Sequence, residues 1–149
     1  MIKLNKSSFI ISLFASCLLG SSFSQANPLA IEAFENNDLT TAKGLFEENI
    51  KKNPKDFVSL DYLANIALRQ DEYDDAEEYI EKALNLAAMD AKIQFDAGKI
   101  MGAQAQDSSI FSAMGYAKKS LQAFKQAAQL EPDNIKYRQA LMSFYLQAP

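Results

Sequence analysis

The stretch YLANIALRQDEYDDAEEYIEKALNL, residues 62–86, decides the fold of this chain. In its first half, Leu63, Ala64 and Ala67 recur at helical spacing, which predicts a helix with one small-sided apolar face. The polar run 70–72 interrupts the pattern, and a second apolar stripe follows: Tyr73, Ala76, Ile80, Ala83 and Leu84. Two short amphipathic helices with small residues on their facing sides predict a tightly packed helical hairpin.

The same pattern recurs at an offset of 34 residues on both sides of this stretch. The aligned positions are mostly apolar or small: Leu29, Leu63 and Ala97; Ala30, Ala64 and Gly98; Ala33, Ala67 and Met101; Ala42 and Ala76. A fixed period of this length indicates an array of hairpins, each burying its apolar face against its neighbours. The predicted hairpins cover 27–56, 57–90 and 91–134, and a single final helix covers 135–147.

Signals for helix ends agree with this division. Asp56, Asp90 and Asp133 stand at predicted N-cap positions, where a short acidic side chain can accept a hydrogen bond from a free backbone N–H. Pro54 and Pro132 lie just before two of these positions and end the preceding helices. The expected fold is therefore an all-α solenoid of about seven helices.

Three segments of the chain resemble the tetratricopeptide repeat (TPR). They are NNDLTTAKGLFEENIKKNPKD (36–56), YLANIALRQDEYDDAEEYIEKALNL (62–86) and SLQAFKQAAQLEPDN (120–134). The third segment departs from the TPR pattern at Ser120, where alanine is usual. The resemblance covers nearly all of 28–147. It implies a right-handed solenoid whose first helices line a concave surface that holds a peptide or a partner's helix.

The third hairpin is predicted to be longer than the other two. Ser120 lies 44 positions after Ala76, ten more than the offset of 34, and the extra residues fall in KIMGAQAQDSSIFSAMGYAKK, 99–119. Helical stripes continue through both sides of this segment, so the insertion lengthens both helices. Ile110 and Phe111 then have two interpretations. They form an exposed contact point at the tip, or they fold back onto Gln104.

Glycines inside this hairpin are interpreted as packing positions. Gly98 and Gly102 are expected to face Ala117 and Ala113, because close packing would offset a cost of about 1 kcal/mol per helical glycine. The GAQAQ run and the lysine-rich helix after it also resemble a group of exported bacterial TPR proteins. That group, too, has a lengthened third helical pair.

No catalytic, metal or cofactor site is predicted. The chain contains no histidine, and its single cysteine is Cys17. It has no glycine-rich phosphate loop. Adjacent acidic residues such as Glu47 and Glu48 point about 100° apart on a helix and do not share a site. We therefore expect a non-enzymatic protein without a cofactor.

Acidic residues outnumber basic ones. The 149-residue chain has a net charge of −4, and its first 26 residues hold two lysines and no acid. Residues 27–149 therefore carry 13 basic and 19 acidic side chains. This balance argues against nucleic acid as a partner, so the expected partner is another protein or a peptide.

A partner-binding groove is predicted on the face of the first helices that lies opposite their packing stripe. Its expected residues are Asp61, Asn65, Arg69, Lys92, Phe95, Lys99, Lys136 and Gln139. Cations predominate in this set, and Phe95 lies between two lysines as an apolar anchor would, so the partner is expected to be acidic. The expected function is an interaction module or adaptor of the bacterial cell envelope. The alternative is a structural subunit of a larger envelope assembly, without a free peptide ligand.

The first 26 residues have the pattern of an export signal. Lys3 and Lys6 precede an apolar run over 9–20 that is too short to span a bilayer, and 24–26 supplies small residues for cleavage. The mature protein is then 27–149, periplasmic or secreted, with no transmembrane segment after cleavage. Cys17 follows a sequence similar to a lipoprotein cleavage box, so lipidation at Cys17 is the alternative.

The export hypothesis predicts that the mature chain begins at Asn27. Intact-mass measurement of the protein recovered from an expressing bacterium checks this, with a variant carrying Ala26→Arg as a control for blocked cleavage. A lipid-modified mass that starts at Cys17 would show that the cysteine is the processing site instead.

Overall fold

The computed structural model describes residues 27–147, so the predicted signal segment, Cys17 and the last two residues lie outside the described part. Seven α-helices follow one another, and no strand occurs among the described residues. The helices are α1 (Pro28–Glu35), α2 (Leu39–Lys52), α3 (Phe57–Arg69), α4 (Tyr73–Leu86), α5 (Ala91–Asp107), α6 (Ile110–Leu130) and α7 (Ile135–Gln147). The prediction of an all-α chain with about seven helices is confirmed.

The helices pack as three successive hairpins and a last single helix. Each helix packs on the next along the chain, from α1 on α2 to α6 on α7, and α3 also packs on α5. Contacts between neighbours in sequence therefore dominate the fold, as is typical of a solenoid.

Aspartate side chains cap three of the helices. Asp38, Asp56 and Asp90 accept hydrogen bonds from the backbone N–H groups of Thr41, Ser59 and Ile93, at 3.2, 3.2 and 3.0 Å. These bonds satisfy N–H groups that have no partner within the helix.

The prediction that Asp133 caps the final helix is wrong. The helix α7 begins at Ile135, and Asn134 Oδ1 accepts a hydrogen bond from the Lys136 backbone N–H at 3.1 Å. The cap has moved by one residue because Asn134, not Asp133, directly precedes the first helical residue.

Left-handed residues turn the chain inside the first two hairpins. Asn37 has φ 60° and Asp71 has φ 58°, and the two lie 34 positions apart. Asparagine and aspartate tolerate this conformation better than most side chains. The same backbone turn therefore closes both hairpins without a glycine.

Fully buried alanines lie where neighbouring helices approach each other most closely. They are Ala30, Ala42, Ala64, Ala76, Ala83 and Ala127. Larger side chains fill the spaces between these close approaches, and the bulkiest fully buried ones are Phe46, Leu63, Ile66, Ile80 and Ile100. The buried residues form three successive clusters along the solenoid, each with the small-and-large alternation that close packing requires.

The third hairpin is extended, as predicted. The helix α5 has 17 residues against 13 in α3, and α6 has 21 against 14 in α4. More of the insertion therefore lies in α6 than in α5. Ile110 and Phe111 begin α6 at the tip and are 87% and 96% exposed, so they do not fold back onto Gln104.

Glu77 on α4 binds to both helices of the extended third hairpin. Its carboxylate accepts hydrogen bonds from Gln104 Nε2 at 3.2 Å, from the Tyr116 hydroxyl at 2.9 Å and from Lys119 Nζ at 3.0 Å. One side chain of the second hairpin thus contacts both long helices of the third.

Gly98 packs against a different part of α6 than expected. A Cβ atom at Gly98 would lie 2.5 Å from the Phe124 ring, and one at Gly102 would lie 3.4 Å from Ser120 Oγ. The Ser120 hydroxyl donates a hydrogen bond to the Gly98 carbonyl oxygen at 2.7 Å. The prediction that Gly98 and Gly102 face Ala117 and Ala113 is therefore wrong. The hydrogen bond also explains a serine where TPR sequences usually have alanine.

Two glycine substitutions should have opposite effects on stability. Gly98→Ala should lower the free energy of unfolding by about 1–3 kcal/mol, because the new methyl group would collide with the buried Phe124 ring. Gly44→Ala is the matched control, since Gly44 is exposed in α2 with no atom within 4 Å of the new Cβ. It should raise the same free energy by up to about 1 kcal/mol.

Urea denaturation followed by circular dichroism measures both changes. Equal shifts of the two unfolding midpoints would mean that α5 and α6 are not in close contact at Gly98.

Candidate partner-binding groove

The first helices of the hairpins contact one another through aromatic rings and form one face of the solenoid. Phe34 of α1 meets Tyr62 of α3 with ring centroids 5.0 Å apart, and Phe95 of α5 meets Tyr137 of α7 at 5.0 Å. We call the surface formed by α1, α3, α5 and α7 the groove face. All the groove residues predicted from sequence lie on α3, α5 or α7.

A network of ion pairs joins α3 to α5 at the centre of the groove face. Lys92 Nζ contacts Asp61 Oδ2 of α3 and lies 2.8 Å from Asp96 Oδ2. Lys99 Nζ lies 2.8 Å from Asp96 Oδ1 and donates a hydrogen bond to Asn65 Oδ1 at 2.8 Å. The Asp96 carboxylate therefore bridges two ammonium groups, each of which also reaches α3.

The two signs of charge in this network lie at different depths. The side chains of Asp61 and Asp96 are 3% and 6% exposed, whereas those of Lys92 and Lys99 are 53% and 39% exposed. Burying a carboxylate is costly unless a cation and hydrogen bonds compensate it. The lysines supply that compensation and remain open to solvent on their outer side.

The environment shifts the pKa values of three of these groups. Burial raises the pKa of Asp61 to about 7, assisted by the charge of Asp96 and opposed by Lys92. Burial also acts to raise the pKa of Asp96, but the charges of Lys92 and Lys99 outweigh it, and that pKa lies below its ordinary value. Burial acts to lower the pKa of Lys92, but the two carboxylates outweigh it and raise that pKa. Asp61 faces one ammonium group and Asp96 faces two, so Asp61 takes up the first proton.

Phe95 is a core residue, which corrects the prediction that it is an accessible anchor for a partner. It is 6% exposed and packs against the rings of Phe124 and Tyr137, with centroids 5.8 and 5.0 Å away. Lys136 Nζ lies 4.6 Å and Lys99 Nζ 5.7 Å from its ring centroid. The final helix packs against the ring, and the two ammonium groups lie over it.

Asp61 and Asn65 also lie deeper than predicted. They are 2% and 8% exposed, and Asn65 Nδ2 donates to the Asp61 backbone oxygen at 2.9 Å. Their side chains support the lysines from beneath and do not offer a surface of their own.

Arg69, Lys136 and Gln139 are exposed, as a groove position requires. The Arg69 guanidinium carbon lies 3.9 Å from the Phe34 ring centroid, and Nη1 donates to the Phe34 backbone oxygen at 3.4 Å. Arg69 therefore joins α3 to α1 while its charge stays at the surface.

An open cleft of about 430 Å³ continues the groove face along the long helix α5. Small residues of α5 border it, and Tyr73 and Phe124 stand at its sides; the lining is Tyr73, Gly98, Lys99, Gly102, Ala103, Gln106, Asp107 and Phe124. Gly98 is buried under Phe124, but Gly102 and Ala103 are partly exposed and have little or no side chain, so the helix backbone is accessible beside them. The cleft starts beside Lys99, so the ion network and the cleft form one surface.

Asp96 was absent from the predicted groove, although a signal for it exists in the sequence. It follows Lys92 by four positions and precedes Lys99 by three, the spacings at which opposite charges meet on a helix. Its charge reduces the excess of cations that was predicted for this face. Tyr62 was also missed, and it stacks on Phe46 with centroids 4.7 Å apart.

Among residues 27–147, no group of three or more acidic side chains is arranged to hold a metal ion. Within the same range, no helix has the combination of length and apolar composition needed to cross a membrane.

The fold and the groove face define a class, the TPR-type solenoid of helical hairpins. Residues 63–88 match the family model described as a tetratricopeptide repeat. The chain therefore contains a TPR motif, and the predicted resemblance to TPR proteins is confirmed. No curated protein sequence matches the chain significantly.

Solved structures of TPR proteins share this fold. A thermophilic TPR protein of Thermus thermophilus, TTC0263, is similar with a TM-score of 0.72 and 19% identity, over 79% of this chain and 61% of that one. The first TPR of Spaghetti (RPAP3), solved with an HSP90 peptide, has a TM-score of 0.67 and 15% identity, over 79% and 86%. The Arabidopsis OM64 TPR domain has a TM-score of 0.65 and 19% identity, over 80% of this chain and 90% of that one. This chain thus spans less than two thirds of the Thermus protein.

The raised pKa of Asp61 predicts a pH dependence that Asp61→Asn should remove. The folded pKa is about 7 and an unfolded aspartate has about 3.9, so the folded state holds a proton that the unfolded state loses between these values. This group therefore makes the wild type less stable as pH rises from about 4 to 7. The free energy of unfolding of the variant, relative to wild type, should increase across that window and level off above it.

Urea denaturation at pH 4.5, 6.0 and 7.5 measures this difference. Asp133→Asn, an exposed position before α7, is the matched control and should give a nearly constant difference. A constant difference for Asp61→Asn as well would contradict the raised pKa.

Proposed function

We propose that this protein is a non-enzymatic interaction module that binds an acidic segment of another protein on its groove face. The observation that carries the proposal is the layered ion network, in which two nearly buried carboxylates hold two half-exposed ammonium groups. A partner approaching this face meets the cations first. The carboxylates beneath keep those cations in position before any partner arrives, which lowers the ordering cost of binding.

The distribution of charge along the chain supports an acidic partner. Arg69 and Lys136 extend the exposed cations of the network to both sides, on α3 and α7. Acidic side chains are concentrated on the second helices instead: Glu47, Glu48, Asp74, Asp75, Glu77 and Glu78 on α2 and α4. Such a separation of sign steers an anionic segment towards the groove face and away from the opposite side.

The cleft beside Lys99 offers the space for an extended segment. A volume of about 430 Å³ accommodates a few residues of a peptide, and the missing side chain at Gly102 allows close approach to α5. The similar TPR domain of Spaghetti was solved with the HSP90 peptide SRMEEVD, which carries three acidic side chains. That likeness supports a peptide of the same character for this chain.

An envelope role follows from the N-terminal segment, with its two lysines, its apolar run and its small-residue exit. On this proposal the mature protein is an exported adaptor whose partner is another protein of the cell envelope. The group of exported bacterial TPR proteins that the GAQAQ run resembles supports the same assignment.

The peptide SRMEEVD, labelled with fluorescein, is a suitable acidic probe, and SRMQQVN is its neutral counterpart. We expect measurable binding of the acidic probe only, weakened at 300 mM relative to 50 mM NaCl because salt screens exposed charges. Lys136→Glu and Lys99→Gln should each weaken binding by about fivefold to tenfold. Fluorescence anisotropy measures the affinities.

Lys51→Glu on α2 is the matched control, because Lys51 is exposed on a second helix and should not affect binding. Equal binding of both peptides, or of wild type and Lys136→Glu, would exclude a basic groove that recognises acidic partners.

A further inference from the structure

The exposed apolar side chains of the protein are concentrated at one end of the solenoid. Ten large hydrophobic side chains are exposed between residues 27 and 147, and seven of them belong to α6 or α7. These seven are Ile110, Phe111, Met114, Ile135, Met142, Tyr145 and Leu146. Scattered exposed apolar residues are ordinary, but such a concentration marks a surface that something covers.

On α6, the exposed apolar residues lie on a stripe at the margin of the contact with α7, whose buried part is made by Phe124 and Ala127. Lys125 Nζ lies 5.8 Å from the Tyr145 ring centroid, so the stripe that contains Lys125 borders the exposed side of α7. At 3.6 residues per turn, five other residues of α6 lie within about 40° of Lys125: Phe111, Met114, Lys118, Leu121 and Gln129. The helix α7 borders only the inner half of this stripe, because α6 has 21 residues and α7 has 13. Among residues 27–147, nothing covers the outer turns, where Phe111 and Met114 are 96% and 79% exposed.

On α7, a second apolar stripe points away from the core. Ile135, Arg138 and Leu146 lie within about 40° of Met142, whereas the buried Tyr137 lies on the opposite side. In each hairpin the first helix is covered by the second, but no helix follows α7 among the described residues. We call the two stripes together the end surface: Phe111, Met114, Lys118, Leu121 and Lys125 of α6, with Ile135, Arg138, Met142, Tyr145 and Leu146 of α7.

The charged residues of the two helices that form the end surface have one sign, and Glu131 and Asp133 lie only in the connection between them. The helices α6 and α7 contain five cations and no acidic residue, in a chain whose net charge is −4. Lys119 is paired with Glu77, and Lys136 belongs to the groove face. Lys118, Lys125 and Arg138 remain beside the apolar stripes and are exposed.

We propose that the end surface docks an amphipathic helix of a partner protein, with an apolar stripe flanked by acidic residues. The site lies on the outer side of α7, about 120° around that helix from the groove residue Lys136. A helix bound there would cover α7 as the second helix of a hairpin covers the first. An apolar stripe with flanking opposite charge is the usual complement for helix-on-helix docking.

Charge disfavours two other occupants. A second copy docked end to end would bring three exposed cations of one molecule against the same three of another, which is unfavourable. An anionic membrane would approach the tip at Phe111, yet Asp107 lies beside that tip. Asp107 lines a shared cleft with Asp71, Asp74 and Asp75, so a flat anionic surface is repelled at the tip, which it reaches first. A docked helix instead lies along the stripes, next to Lys118, Lys125 and Arg138.

The test uses two synthetic 18-residue helical peptides with the same leucine stripe. One carries glutamate on both flanks of the stripe, and the other carries lysine at the same positions. We expect the acidic peptide to bind and the basic one to bind at least tenfold more weakly. The double variant Met114→Ser/Leu146→Ser should lose at least tenfold in affinity for the acidic peptide. Both side chains are about 80% exposed, so the fold should be unaffected.

Met89→Ser is the matched control, because Met89 is 72% exposed but lies between α4 and α5, away from the end surface. Lys99→Gln controls for the groove face, and both controls should bind the acidic peptide as the wild type does. Fluorescence anisotropy gives the affinities, and circular dichroism verifies that every variant is folded.

Four results would overturn the proposal. The first two are equal affinity for both peptides, including no binding of either, and unchanged affinity of the double variant. A dimer in light scattering that the double variant abolishes would identify a second copy as the occupant. Co-sedimentation with vesicles of phosphatidylcholine and phosphatidylserine that the same variant abolishes would identify a lipid surface.

Discussion

The close approach of paired helices over residues with almost no side chain is the constraint on which the rest of this structure depends. Six alanines with no exposed surface lie at these contacts, and Gly98 with Ser120 forms the equivalent contact in the third hairpin. Because nothing larger fits there, each helix has only one possible orientation about its axis. The orientation then determines which side chains face the groove and which face away, so the surface chemistry follows from the smallest residues of the chain.

The ion network depends on that packing and in turn couples the second hairpin to the third. Asp61 belongs to α3, whereas Asp96 and both lysines belong to α5. Within residues 27–147, no buried side-chain nitrogen or oxygen lacks a hydrogen-bond partner. A satisfied polar network of this kind contributes little net stability compared with apolar packing, but it fixes the relative position of the groups that compose it. Its consequence here is a pair of cations held at a set spacing.

Sequence reasoning recovered the features that depend on periodicity alone and missed those that depend on how neighbouring helices cross. The period of 34, the caps Asp56 and Asp90 and the longer third hairpin are each visible in the order of residues. The burial of Phe95 is not visible in the order of residues. On α5 alone its side chain faces the groove, and it becomes buried only because α7 packs over it. The residue of α6 that contacts Gly98 depends on the register between α5 and α6. A periodic apolar stripe does not determine that register to better than about one helical turn.

The extended hairpin gives the solenoid its two chemically distinct surfaces. On the side of α5, the insertion adds Gly102 and Ala103 to the cleft that continues the groove face. On the side of α6, it adds Phe111 and Met114 to the end surface. A hairpin of the ordinary length would end before either set of residues, leaving a groove without its cleft and an α6 without its uncovered turns. Since both surfaces carry exposed cations in an acidic protein, one acidic partner with an extended segment and a helix could occupy the two together. In that case the insertion, which lies between the cleft and the end surface, would set the distance that the partner has to span. Because the two binding events would be linked in one molecule, the overall affinity would exceed that of either surface alone.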